Sequence, residues 1–281
     1  MPGLLTKLEG RTGDEDEADV AVSRLVSLPY ATATGYCIPA KVLCCFPPCE
    51  RSEGQAVAVR ASLVQQGLFK AAIAAIGNGG SIAGSGLQVL EQFVPFFPAA
   101  AIAAGTIPAV QGMAGMYKLD AKPGEAIDPI ATSGKAGICT LIACVLAVLA
   151  ASSASGLDAA TRLALAQEAS GLVSPYQTLI PQFSHWPSEN QAALAARVYA
   201  IMLICNAVIS TNGSPAPLTF TRPKDLELKV PCGPTHKVSV FTTGNTDTTD
   251  GDIAGVYLSK PPVRPALAAF QTVVPMMQNM A

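Results

Sequence analysis

The alternation of apolar and polar positions is organised around Ala136–Leu157, AGICTLIACVLAVLAASSASGL, which carries no Asp, Glu, Lys or Arg. Ile138, Leu141, Ile142, Val145, Leu146, Val148 and Leu149 leave no polar face at helical spacing. A helix that is apolar all round is buried, either in lipid or among other protein segments. Ser152, Ser153, Ser155 and Gly156 weaken its end as a membrane span, and its positive flanks are thin. Ala143, Ala147 and Ala151 fall every fourth residue, which lets a partner helix approach closely. The stretch therefore reads as the central helix of a helical body.

Other segments support that body. Residues 14–28 form a helix pattern with an acidic first turn, which suits the positive end of the helix dipole. The pattern from Ser52 to Ile76 predicts one long Ala-rich helix, stopped at Gly77-Asn78-Gly79-Gly80. A shorter helix is expected over 85–94. Residues 92–117 are uncharged but punctuated by Pro95, Pro98, Gly105, Pro108, Gly112 and Gly115, which fits short helices and turns. A charged connector, 118–135, precedes the central stretch, and Asp158 begins a further helix after the hinge Ser152–Gly156.

Residues 188–210 carry the clearest helix pattern. Ser188 and Gln191 form a capping-box pair, and Leu194, Val198, Ile201, Cys205 and Val208 form one apolar stripe. After Asn212 the period changes to two in Leu218–Thr221, Leu226–Val230 and Val238–Thr242. Thr243–Asp252 reads as a polar turn, Ile253–Leu258 as a returning strand, and Pro261 as the start of an extended tail.

The expected fold is mainly α: a helical body, a small C-terminal β-rich section and extended terminal arms. Three regions follow: an acidic helix with a Pro/Cys-rich connector (1–51), the helical body (52–212), and the β-rich section with its arm (213–281).

Composition changes the picture on the outside. Hydrophobic residues make up 50% of the 281 positions and charged residues 14%, against roughly 25% charged in an average soluble protein. So little charge clothes a free monomer poorly, and copies of the chain, other proteins or lipid are expected to cover part of it. The net charge is −2, but six acids lie within the first twenty residues. Beyond them 16 basic and 14 acidic groups leave a near-neutral remainder.

Candidate chemistry is sparse. Gly77–Gly86 lacks the third glycine of a dinucleotide loop and follows a helix pattern, not a strand. Gly134-Lys135 lacks the first glycine and the final Ser or Thr of a P-loop. Cys44, Cys49, Cys232 and His236 make a zinc set only if the fold assembles them, and their spacing is not a knuckle. His185 stands at a helix entrance, where packing or capping is the expected role, and neither histidine lies in a nucleophile motif. The acidic run 14–19 reads as a solvated helix start. Cys139, Cys144 and Cys205 read as buried free thiols, and the N-terminus lacks a signal-peptide pattern, so a reduced cytosolic setting is expected. The reading is a non-enzyme without metal, cofactor or small-molecule substrate.

The cations admit a second role. Arg60, Lys70 and Arg162 stand alone on neutral helix patterns, and Arg197 borders the apolar stripe of 188–210. Repeated over many copies, isolated cations neutralise a nucleic acid, because each phosphate contact releases counterions.

An Ala/Pro/Ser-rich chain of this size, with 46 Ala, 22 Pro and 18 Ser, resembles the proline-alanine-serine-rich proteins of polymycoviruses. The resemblance lies in length and composition over the whole chain and carries no short motif. One departure is clear: such proteins are expected to be disorder-prone, whereas residues 52–210 are patterned for folding. The resemblance implies a structural coat protein that assembles in many copies around double-stranded viral RNA, in the virion and the host cytoplasm. Sequence-independent phosphate contacts would then come from Arg51, Arg60, Lys70, Arg162, Arg197, Arg222 and Lys224. The alternative is an integral membrane protein with a span at 136–157 and a broken second one at 92–117. An enzyme ranks third.

Overall fold

A computed structural model describes residues 60–119, 128–186, 188–212, 218–222, 228–231 and 237–241. Several expectations lie outside these residues: the 14–28 helix, the Cys-rich connector, the turn at 243–252, the strand at 253–258 and the C-terminal tail. Arg51, Lys224, Cys44, Cys49, Cys232 and His236 lie outside them as well.

Within the described residues the fold is mainly α. A helical segment at 60–65 leads into α1 (Leu68–Asn78), α2 (Gly80–Phe93), α3 (Pro98–Ala103) and α4 (Thr106–Tyr117). The long α5 (Pro129–Ala151) is followed by a 3-10 turn at Ser153–Ser155 and by α6 (Ala159–Val173). The short α7 (Tyr176–Leu179) runs into a second 3-10 turn, Ile180–Gln182, before α8 (Ser188–Thr211). The chain expected to form one helix from 52 to 76 is broken at Gly67, whose φ of +96° disfavours a side chain. The glycine-rich stretch expected as a cap and loop is mostly helix. Gly79 (φ +76°) and Gly80 (φ +60°) turn the chain together, and α2 starts at Gly80.

α5 begins at Pro129, seven residues ahead of the expected Ala136. Asp128 is its N-cap: Oδ1 accepts from the Ile130 backbone N–H at 2.9 Å, and Pro129 fills N1 with its preset φ. The polar residues of these first turns bond locally, as Ser133 Oγ does to the Ile130 carbonyl at 2.8 Å and Thr140 Oγ1 to Gly137 at 2.8 Å. Every residue from Ile142 to Ala151 is buried. The helix ends where Ser152 turns extended, and Gly156 takes a positive φ of +72° before Asp158 caps α6 by accepting from Thr161 N–H at 2.7 Å.

α5 packs most extensively against α6, then against α8, α4 and α2. Ala143, Ala147 and Ala151 are buried as their spacing predicts. Burial of this face follows the hydrophobic effect, at ~0.8 kcal/mol for each methylene removed from water. α1 lies against α2, and Gly86 marks their close approach: a Cβ there would stand 2.5 Å from the Ala72 carbonyl oxygen.

Beyond α8, Leu218–Thr221 is not a strand. It lies over the body, held by Leu218 N–H to Asn206 Oδ1 at 2.8 Å and by Phe220 edge-on to Tyr199 at 5.5 Å. A short antiparallel pair, Leu228–Pro231 with Lys237–Phe241, is the extent of strand among the described residues. The β-rich section expected over 213–281 is not established.

Candidate functional site

Among the described residues, the arginines named from the sequence at 60, 162 and 197 have different partners. Arg60 is buried, with its guanidinium carbon 4.6 Å from the centre of the Phe96 ring. Arg162 reaches back to the end of α5, donating from Nε to the Ala150 carbonyl at 2.6 Å and from Nη2 to Ala151 at 3.2 Å. These are carbonyls that a helix C-terminus leaves without intrahelical partners. Arg197 on α8 pairs with Glu91 on α2, whose side chain is 2% exposed. Gln92 Nε2 donates to the second Glu91 oxygen at 3.0 Å. A charge so buried is tolerated because it is paired and hydrogen-bonded. All three arginines are thus engaged inside the fold. Lys70 and Arg222 are exposed.

A polar cluster that the sequence reading did not assemble joins α5 to the approach of α8. His185 Nε2 lies 3.0 Å from Ser133 Oγ. The Ser133 hydroxyl also donates to the Ile130 carbonyl, and the His185 contact tethers α5 to the approach of α8. Phe183, His185 and Trp186 form a ring cluster, with centroids 6.3, 6.3 and 5.6 Å apart. Gln191 Nε2 donates to the Phe183 carbonyl at 2.9 Å and to the Trp186 carbonyl at 3.1 Å. The amide therefore fastens the preceding loop. Nothing local in the sequence signals a Ser133–His185 contact across 52 positions.

The thiols at 139, 144 and 205 are buried and form no disulfide. Cys139 Sγ donates to the Tyr117 carbonyl at 3.2 Å, and Tyr176 Oη donates to Cys139 Sγ at 3.7 Å. Burial pushes the Cys139 thiol above its usual range, with the Tyr176 hydrogen bond and Lys135 acting the other way. Burial likewise raises Tyr176, and raises Cys205 with a further contribution from Cys144. Thiols held neutral in this way are poor nucleophiles and poor metal ligands. Among the described residues no three His, Cys, Asp or Glu side chains converge to hold a metal ion.

The outward faces of α4 and α6 are short of charge. Pro108, Gly112, Gly115 and Met116 face solvent on α4, and Ala160, Ala164 and Gly171 on α6. The two helices are tied by Gln111 Nε2 donating to Glu168 Oε2 at 2.7 Å. Met116 and, at the start of α5, Ile130 are each 69% exposed. No family model, curated protein or solved structure matches the chain.

Proposed function

We propose that this chain is a structural coat protein that packs against copies of itself and associates with RNA. The observation that carries the reading is the smooth, nearly uncharged outer face of α4 and α6, on a chain with 14% charged residues. Small side chains let another helix approach closely, and packing two such faces desolvates few charges. The resemblance to the proline-alanine-serine-rich proteins of polymycoviruses supplies the finer terms: double-stranded viral RNA as partner, and the virion and host cytoplasm as setting. In the same reading residues 213–281 supply a small β-rich section and an arm that reaches a neighbouring subunit. Lys70 and Arg222 are the named cations on the surface of the body.

Negative-stain microscopy of the purified protein, with its 260/280 nm absorbance ratio, tests this reading. Filaments or shells carrying nucleic acid are expected. A monodisperse monomer that binds no RNA at low salt overturns it.

A membrane protein is the second reading, because α5 and Leu194–Thr211 of α8 are long and apolar enough to cross a bilayer. Their apolar windows are 72% and 78% buried inside the fold, as core helices are. Detergent-dependent extraction would favour this reading over the coat.

A further inference from the structure

We propose that Lys118 and Lys135 form a phosphate contact of the helical body, in addition to the exposed Lys70 and Arg222. The inference rests on the RNA-associated reading and specifies where the body meets the RNA backbone.

The two lysines come from different elements and are brought to one junction. Lys118 caps the C-terminus of α4 and is exposed. The residue before it, Tyr117, accepts through its carbonyl from Cys139 Sγ at 3.2 Å, which fixes the end of α4 against α5. Lys135 precedes Cys139 by four residues, so it sits on the same face within about 40° and about 6 Å nearer the start of α5. Lys118 stands about 3.8 Å beyond Tyr117 along the chain. Lys135 is exposed as well.

Among the described residues, both ammonium groups stay available. Among the described residues neither lysine forms an ion pair. Asp128, the acid at the start of α5, already accepts from the Ile130 N–H. Lys118 also offsets the negative end of the α4 dipole, a screened interaction that leaves its head group in water. Arg60, Arg162 and Arg197 lie within the fold on Phe96, the α5 carbonyls and Glu91. A lysine on a flexible stem suits a backbone contact that must accept any sequence, because it binds phosphate as a point charge.

The test is a salt titration of the full chain with a short double-stranded RNA of mixed sequence, comparing wild type with the double variant K118Q/K135Q. Circular dichroism melting verifies that the variant is folded. Loss of two phosphate contacts is expected to flatten the slope of log Kobs against log salt by about 1.8, with weaker binding at moderate salt. Wild-type binding with an unchanged slope in the variant overturns the inference and leaves the coat reading standing. Wild type that binds no RNA at low salt overturns the coat reading itself. Lysine-dependent binding to anionic phospholipid vesicles, with none to RNA, overturns both.

Discussion

Arg162 Nε donates to the carbonyl of Ala150 at 2.6 Å, so a side chain of α6 closes the end of α5. The guanidinium fork also takes Ala151, where a lysine would offer a single point. Arg162→Gln is expected to destabilise the protein by ~1–3 kcal/mol, because the variant leaves buried carbonyls without a partner. It should leave the salt slope of RNA binding unchanged. Urea unfolding checks the first outcome and anisotropy titration the second; a flattened slope would assign Arg162 to phosphate.

Gly86 and Gly112 provide a pair of opposite sign. Both lie inside helices, where Gly→Ala ordinarily gains up to ~1 kcal/mol. At Gly112 a Cβ meets nothing within 4 Å, and Gly112→Ala is expected to stabilise. At Gly86 it would stand 2.5 Å from the Ala72 oxygen and 3.2 Å from the Ala75 Cβ. Gly86→Ala should therefore force α1 from α2 and lower stability by ~1–3 kcal/mol. Melting temperatures moving in the same direction would contradict the packing.

Val145 is 1% exposed at the middle of α5. Val145→Asp places a charge where neither water nor a partner awaits it, a loss larger than the stability of an ordinary domain can absorb. Soluble, folded Val145→Asp protein would show that α5 is not enclosed. Val145→Ala, a milder change, is expected to fold with a loss of a few kcal/mol.

Alkaline pH probes the buried acids. Cys139, Tyr176 and Cys205 are held neutral by burial, so the unfolded chain gives up these protons first as pH rises. Their contribution is nearly complete at neutral pH and fades as pH rises through about 8.5, where an unfolded thiol is half ionised. The urea midpoint is expected to fall between neutral pH and about pH 10. The variant C139A/C205A should fall less steeply, even from a lower starting stability. At the other end of the scale Asp158, held below its usual range by the Thr161 hydrogen bonds, contributes stability that is lost as pH drops through its own titration.

Helices with strong local punctuation were legible in the sequence. Asp158 and Asn212 bracketed real helix ends, and the apolar run of α5 had to be interior because it offers no polar face. The start of α5 was missed because Asp128-Pro129, a cap and N1 pair, lies inside what reads as a charged connector. The break at Gly67 was missed because a single glycine within Ala-rich periodicity gives no warning of a positive φ. The tertiary polar contacts were out of reach for a different reason. Glu91 with Arg197 and Ser133 with His185 are 106 and 52 positions apart, and no periodic rule couples them.

The enclosure of α5 also sets a constraint on synthesis. α2 and α4 are translated before it, and α6 and α8 after it, yet all four pack on the same helix. A nascent chain stopped at Tyr117 holds apolar faces whose partner has not been made. One stopped at Ala151 holds the partner without its remaining cover. Cooperative closure therefore waits for α8, and until then the chain exposes the apolar faces that α8 will cover.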